Sequence, residues 1–314
     1  MAAGILDYLP QKIAEIIGKL KEWQREEVIE IRMRVHQPLQ LISLHGEIFP
    51  LDGKNKPCII TPLDLERAFM ILVKNSYYAL ERQLAEGFLT IPGGHRVGFT
   101  GQAVLEDGNL RTIKNINSLN YRISRQVIGV AGGLLDKILD REEEHILNTL
   151  IIGPPLCGKT TLLRDLVRLI SDGDERSGLK GKKVALVDER SEIAGAYKGI
   201  PQNRIGMRTD LLDNCPKARG MLLLIRAMSP EVVAVDEIGS REDVLAIEEV
   251  INAGVKLLCT IHGRDYDSIL RRPSLKELLA GKAFARYIVL SNKAGIGTVE
   301  RILDASGREV GRGG

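Results

Sequence analysis

The chain has 314 residues, 44% of them hydrophobic, and a formal net charge of +3 from 44 basic and 41 acidic residues. That length accommodates two domains or one large one, and the near-balanced charge excludes a strong electrostatic demand for nucleic acid. Aromatic residues are only 4%, which argues against an extended base-stacking surface, and no uninterrupted apolar run is long enough to predict a transmembrane helix.

The first predicted element is a helix on which Leu6, Leu9, Ile13, Ile16, Ile17 and Leu20 recur at three- and four-residue spacing along one face. Asp7, Lys12 and Glu15 interrupt it, so it does not read as a signal peptide. Val28 to Val35 alternates apolar and polar side chains, and Leu39 to Ile42 and Ile48-Phe49 follow, with His45-Gly46 as a turn. That pattern predicts a small antiparallel meander. Thr61-Pro62 opens a helix over 63–74, with Thr61 as N-cap, and a second helix is expected over 76–86. Residues 87–125 return to strands, punctuated by Pro92-Gly93-Gly94 and Asp107-Gly108 and carrying Arg96, Arg111, Arg122 and Arg125.

A small, glycine-rich stretch, Gly129 to Gly133, marks the expected boundary between an N-terminal α+β domain (1–128) and a second domain (129–314). Beyond it a helix is expected from Leu134. The pattern then becomes βαβ, which predicts an α/β fold with a parallel sheet and helices on both faces. Ser171 to Lys182 is polar and reads as a mobile loop. Strands are predicted at Thr149 to Ile152, Val184 to Val187, Val232 to Val235 and Lys256 to Ile261, with helices at 216–228 and 241–253. Near-continuous apolar runs suit parallel strands covered on both faces. Strands near 286–291 and 297–303 around Ala294-Gly295 read as an edge hairpin.

Gly153-Pro154-Pro155-Leu156-Cys157-Gly158-Lys159-Thr160 stands between the first of these strands and a helix. Strand, glycine-rich loop and helix is the context that makes G-x-x-x-x-G-K-[ST] a phosphate-binding loop. Its backbone N–H groups and the helix N-terminus, where Thr161 follows, form an anion site. Gly153 and Gly158 let the main chain approach phosphate closely. Lys159 reaches the β- and γ-phosphates of ATP, and the Thr160 hydroxyl completes a Mg²⁺ shell. Cys157 has no partner base in the sequence. Cys58, Cys157, Cys215 and Cys259 form no C-x-x-C pair, so neither zinc nor a disulfide framework is signalled, and a reducing cytosolic compartment fits best.

Asp236 and Glu237 emerge at the carboxyl end of an apolar strand, where ligands sit in open α/β sheets. Asp236 suits Mg²⁺ and Glu237 suits polarising the attacking water. Val187 leads into Asp188-Glu189, with Glu192 beyond, and Ile261 leads into His262, so both ends point to the same edge. The duller reading of Asp188 and Glu189 is a helix cap.

With these strand ends in place, residues 147–263 resemble the secretion-ATPase superfamily of P-loop NTPases, the motors of type II and type IV secretion. Gly153–Thr160 matches its Walker A, Asp188–Glu192 sits where its acidic box belongs, Arg226 to Glu237 resembles its Walker B, and Thr260-Ile261-His262-Gly263 resembles its histidine box. The resemblance implies a RecA/ASCE-like core, a hexameric ring, and catalytic roles for Lys159, Asp188, Glu189, Arg226, Glu237 and His262. It also promotes Arg96, Arg111, Arg122 and Arg125 as arginines reaching phosphate. No four-cysteine zinc module is present, and Asp236 stands where many secretion ATPases have glycine. The stretch from Ile205 to Asp210 and Asn214 to Met221 also departs from the pilus type; with Glu30 to Arg34, the 94–101 segment and Asp236 to Gly239, it is similar to the stage III sporulation AA family. That resemblance implies a mother-cell ATPase, peripheral at the membrane through channel proteins between mother cell and forespore. Arg208 and Arg219 are further nucleotide-contact candidates. The alternative function is a nucleic-acid-dependent P-loop ATPase, which the near-neutral charge disfavours.

Overall fold

The structure, a computed structural model, describes residues 4–73 and 87–310. The helix expected over 76–86 lies outside the described residues. The chain divides into two compact units, Met1–Arg125 and Gln126–Gly314. Local bonding explains where the division falls. Arg125 donates to the carbonyls of Val28 (2.9 Å) and Glu26, inside the first unit. Gln126 exchanges two hydrogen bonds of 2.8 Å with the backbone of Arg204, inside the second.

In the first unit, the single amphipathic helix expected over residues 6–20 is broken. A 3₁₀ turn covers Ile5–Tyr8, Pro10 stops it, and α1 runs over Gln11–Gly18. Proline lacks the N–H needed to continue the turn. The apolar spacing survives the break, because Ile5, Leu9, Ile13 and Ile17 all enter the core. A short α2 (Glu22–Glu27) leads into β1 (Val28–Arg34), β2 (Gln40–Ser43) and β3 (Gly46–Ile48), the antiparallel meander expected. Next comes α3 (Pro62–Val73), where Thr61 Oγ1 accepts the Asp64 N–H at 3.1 Å and Asp64 Oδ2 accepts the Thr61 N–H at 3.0 Å. Two orphan N–H groups of the helix start are thereby satisfied reciprocally. The strands β4 (Phe88–Ile91), β5 (His95–Glu106) and β6 (Asn109–Arg122) complete a six-stranded sheet of order β3-β2-β1-β6-β5-β4. Along β1, Ile31 and Met33 are buried while Glu30, Arg32 and Arg34 face outward, so one face carries the core. The Tyr121 hydroxyl, deep in that core, donates to the Tyr8 carbonyl at 3.0 Å and pins the N-terminal segment to the sheet.

The second unit opens on the glycine-rich stretch. Asp165 Oδ2 accepts the N–H groups of Gly129 and Ala131 at 2.8 and 2.9 Å, so a buried carboxylate organises it. The helix expected from Leu134 is one turn, α4 (Leu135–Ile138), followed by a small hairpin of β7 (Leu139–Asp140) and β8 (His145–Ile146). Then come β9 (Thr149–Gly153) and α5 (Lys159–Asp172). The stretch expected as a mobile loop contains the end of α5 and a hairpin of β10 (Gly173–Asp174) and β11 (Leu179–Lys180). Strand β12 (Val184–Asp188) is followed by β13 (Thr209–Asp213), which pairs with it in parallel. The sequence gives β13 no apolar run, since as an edge strand it is only half-buried. The expected helices are α6 (Lys217–Met228) and α7 (Arg241–Asn252), flanking β14 (Val232–Val235). Next, β15 (Lys256–His262) precedes two one-turn helices, α8 (Tyr266–Leu270) and α9 (Lys276–Ala280), and the terminal hairpin of β16 (Arg286–Ser291) and β17 (Thr298–Asp304).

These strands form a sheet of order β13-β12-β14-β15-β9-β16-β17, parallel except for β17. The hairpin expected at an edge puts only β17 there; β16 lies beside the phosphate-loop strand. The apolar runs split by parity between two cores. Leu150, Ile152, Val187, Val233, Val235, Cys259 and Ile261 join α6 and α7 on one face. Ile151, Leu186, Val232, Ala234 and Leu258 join α5 on the other. Burying each such side chain is worth roughly 1.5–3 kcal/mol, which is why both parities are apolar. No helix among the described residues is long and apolar enough to cross a membrane.

Helix α6 approaches the sheet through Gly220, where an added Cβ would lie 2.6 Å from Val187 Cγ1 and 3.3 Å from Leu212 Cδ2. Alanine normally stabilises a helix by roughly 1 kcal/mol over glycine, whereas overpacking costs roughly 1–3 kcal/mol. Gly220→Ala is expected to lower the urea midpoint despite its better helix propensity. A raised midpoint would show that the contact is not tight.

Candidate functional site

Three strand ends meet at one edge of the parallel sheet. Register places Val235 beside Cys259 and His262 beside Gly153. Asp236 therefore leaves β14 next to Thr260, and the phosphate loop leaves β9 next to His262. The loop ends at Gly158, whose φ of +93° lies in the left-handed region that glycine tolerates, and Lys159 begins α5. Gly153 is required for packing: a Cβ there would sit 2.4 Å from Cys157 Sγ. Cys157 is fully buried beneath the loop, so it offers the site its backbone rather than its thiol.

Lys159 is 5% exposed and donates from Nζ to the carbonyls of Gly153 (3.0 Å) and Pro154 (2.8 Å) and to His262 Nδ1 (3.2 Å). The other ring nitrogen, His262 Nε2, lies 2.7 Å from Glu237 Oε1. An ammonium can only donate, so Nδ1 is the acceptor and the ring proton is on Nε2, facing the carboxylate. Arg272 holds the strand end by donating to the His262 carbonyl.

Thr160 Oγ1 donates to Asp236 Oδ2 at 2.7 Å, and Thr260 Oγ1 bonds Asp236 Oδ1. Glu237 takes a left-handed φ of 50°, which costs a non-glycine residue on the order of 1 kcal/mol. Its N–H is held there by Thr260 Oγ1 at 2.9 Å and Asp236 Oδ1 at 3.1 Å. Arg190 approaches the Glu237 carboxylate at 3.7 Å. A cavity of about 430 Å³ opens over these groups, lined by Lys159, Thr160, Thr161, Glu192, Glu237 and His262 together with Pro155, Leu156, Gly158 and Ile296.

The structure brings Lys159, Thr160, Asp236, Glu237 and His262 together, whereas Asp188, Glu189, Arg208 and Arg226 of the same unit do not line the cavity. Asp188 is buried, and its oxygens accept the N–H groups of Glu192, Ile193 and Ala194 at 2.9, 2.9 and 2.8 Å. It therefore shapes the loop that presents Glu192 rather than facing the cavity itself. Glu189 pairs with Lys217 at 2.5 Å. Arg226 is exposed in the last turn of α6, which ends where β14 begins, at the opposite end of that strand from Asp236. Arg208 caps the end of α5 through the Ser171 and Asp172 carbonyls (2.9 and 3.3 Å). In the first unit, Arg96 stacks on Phe88 with 4.9 Å to the ring centroid, and Arg111 pairs with Glu106 at 3.0 Å. Sequence reasoning missed Ile296 and Arg164. The latter is a buried guanidinium that donates to the Glu192 and Ile193 carbonyls and so backs the same loop. A lone arginine on an amphipathic helix carries no signal that marks it as buried.

Comparison with known proteins now adds to this geometry. Residues 2–310 match the family described as Sporulation stage III, protein AA. The chain belongs to that family. It is 43% identical to the Stage III sporulation protein AA of Bacillus subtilis (strain 168), covering 98% of this chain and 97% of the relative. The fold is shared with the ATPase DotB of Legionella pneumophila (TM-score 0.55, 16% identity, 83% of this chain and 72% of that one). It is also shared with the pilus retraction motor PilT, solved with bound ADP (TM-score 0.56, 14% identity, 91% and 77%). This family member thus has the α/β architecture expected of the secretion ATPases, a mostly parallel sheet preceded by a separate antiparallel one.

Burial pushes the Asp188 carboxyl up to about 6 from an ordinary 3.8, outweighing the three N–H donors, and the Asp213 carboxylate adds to the rise. The folded state then holds a proton that the unfolded chain has released, so stability falls as pH rises between those values. Relative to Asp188→Asn, the native chain is expected to lose on the order of 2 kcal/mol of unfolding free energy from pH ~4 to ~6. Urea titrations across that range measure the difference, and a flat difference would refute the shifted carboxyl.

Proposed function

We propose that this family member is a Mg²⁺-dependent ATP hydrolase that energises a transport or channel complex between mother cell and forespore. The observation that carries the reading is the meeting of Lys159, Glu237 and His262 with the Thr160–Asp236 pair over one cavity. The fold shared with DotB and PilT supports it.

The site's own groups divide the work. Backbone N–H groups at the start of α5 and the Lys159 ammonium bind phosphate oxygens, the lysine exchanging a carbonyl or His262 for them. The hard oxygens of Thr160 and Asp236, already 2.7 Å apart, fit Mg²⁺ and would hold it, and the ion supplies neutralisation of phosphate charge. Glu237 orients water and accepts its proton as the water oxygen bonds the γ-phosphorus and the bond to the β-phosphate oxygen breaks. His262, with Nε2 2.7 Å from Glu237 Oε1, fixes the Glu237 carboxylate between turnovers. We further propose a homo-oligomeric ring in which neighbouring subunits supply arginines, with membrane-embedded sporulation proteins as partners on the mother-cell side.

Glu237→Gln is expected to keep ATP affinity within a few-fold while losing roughly 10²–10⁴ in turnover, whereas Lys159→Ala loses binding. Wild-type turnover in Glu237→Gln would refute the base. Specific activity is expected to rise with protein concentration in step with assembly measured by light scattering. Severalfold stimulation by DNA or RNA would favour a nucleic-acid-dependent ATPase instead.

A further inference from the structure

The hydrolytic residues all stand on one side of the phosphate-loop strand. Asp236 and Glu237 follow β14, His262 ends β15, and both strands lie to one side of β9 in the order β14-β15-β9-β16-β17. The β16–β17 side is the side of the loop facing away from them. The turn joining β16 to β17 rises against the phosphate loop there. Gly297 donates its N–H to the Cys157 carbonyl at 2.9 Å, and Ile296 Cγ2 lies 3.2 Å from where a Cβ on Gly158 would be.

Ile296 is 78% exposed and Leu156, on the loop itself, is 88% exposed, yet both line the same cavity as Lys159 and Glu237. Leu156 is held outward by a left-handed φ of 60°, a conformation that leucine rarely adopts. The turn carrying Ile296 is braced by the Lys293–Glu300 ion pair at 2.7 Å and by Thr298 Oγ1 donating to the Gly295 carbonyl at 2.7 Å. The charged and polar lining of the cavity, Lys159, Thr160, Thr161, Glu192, Glu237 and His262, comes from the start of α5, the loop after β12 and the ends of β14 and β15, whereas Ile296 comes from the β16–β17 turn. Two water-exposed aliphatic side chains on braced backbone, beside a strongly polar site, suit a flat apolar ligand group.

We propose that Leu156 and Ile296 form the seat of the nucleotide's purine base, gripping its faces by apolar contact while the phosphate loop holds the other end. The proposal rests on the nucleotide-binding reading above and adds the residues that distinguish a nucleotide from bare polyphosphate. In that arrangement the seat contributes affinity for the base and none for the phosphate chain.

The test is competition binding to the full chain with Mg²⁺, using a non-hydrolysable ATP analogue and inorganic tripolyphosphate in parallel. The native chain is expected to bind the analogue at least tenfold more tightly than tripolyphosphate. Ile296→Ser is expected to weaken the analogue about tenfold and to leave tripolyphosphate within twofold, while Ile296→Leu retains the native preference. Equal weakening of both ligands would mean that Ile296 only supports the loop, and unchanged affinity for both would place the base elsewhere; either result overturns the seat. A native chain that binds neither ligand would overturn the nucleotide reading itself.

Discussion

The parallel register of β14, β15 and β9 is the constraint on which the site depends. Val235 sits beside Cys259 and His262 beside Gly153, so Asp236, Thr260, His262 and the phosphate loop become neighbours although the chain separates them widely. Successive residues of a strand face opposite sides, so a slip of one residue would turn Thr260 away from Asp236. The two apolar cores prevent that slip. Val233 and Val235 enter one and Val232 and Ala234 the other, and misregister would expose or clash both sets.

The same edge must also satisfy the polar groups that the strands deliver to it. A buried donor or acceptor left without a partner costs roughly 1–3 kcal/mol, more than a typical hydrogen bond gains. Here each charged group has partners within the site: Asp236 has two threonine hydroxyls, Lys159 has two loop carbonyls and His262, and Glu237 has His262 and Arg190. Phosphate binding would exchange these contacts rather than create them. Because His262 touches both Lys159 and Glu237, movement of the ammonium toward phosphate would be felt at the carboxylate.

Much of this was legible in the sequence, for a definite reason. Strands buried on both faces are uninterrupted apolar runs, and a polar residue after such a run marks the sheet edge where ligands bind, as Asp236 and His262 do. Elements without that contrast were hidden. Strand β13 is half-buried at an edge, and the β10–β11 hairpin offers the core a single apolar side chain, Leu179. Asp188 follows the same apolar-run rule and yet turns inward, because the chain folds back at 192–194 and offers it three N–H groups that no linear pattern announces. Arg226 lies close to Asp236 in sequence, but a helix and the strand after it run in opposite directions, which carries it to the far edge. Ile296 was hidden because an apolar residue between two glycines reads as a turn, and its nearness to the phosphate loop comes from β16 pairing with β9.

Gly158 shows how tightly these demands converge. Its left-handed φ lets the loop turn into α5. The space its missing side chain leaves is taken by Ile296 and by Gly297, whose nitrogen would be 3.3 Å from an added Cβ. A side chain there would strain the backbone and also push the β16–β17 turn off the loop. The glycine that builds the phosphate cradle is therefore also the one that allows an apolar surface to stand beside it. Strand order then decides what each side of the loop can do: the β14 and β15 ends supply carboxylates and histidine, and the β16–β17 turn supplies aliphatic carbon. One sheet edge thereby carries a polar surface and an apolar one side by side, with Lys159 between them.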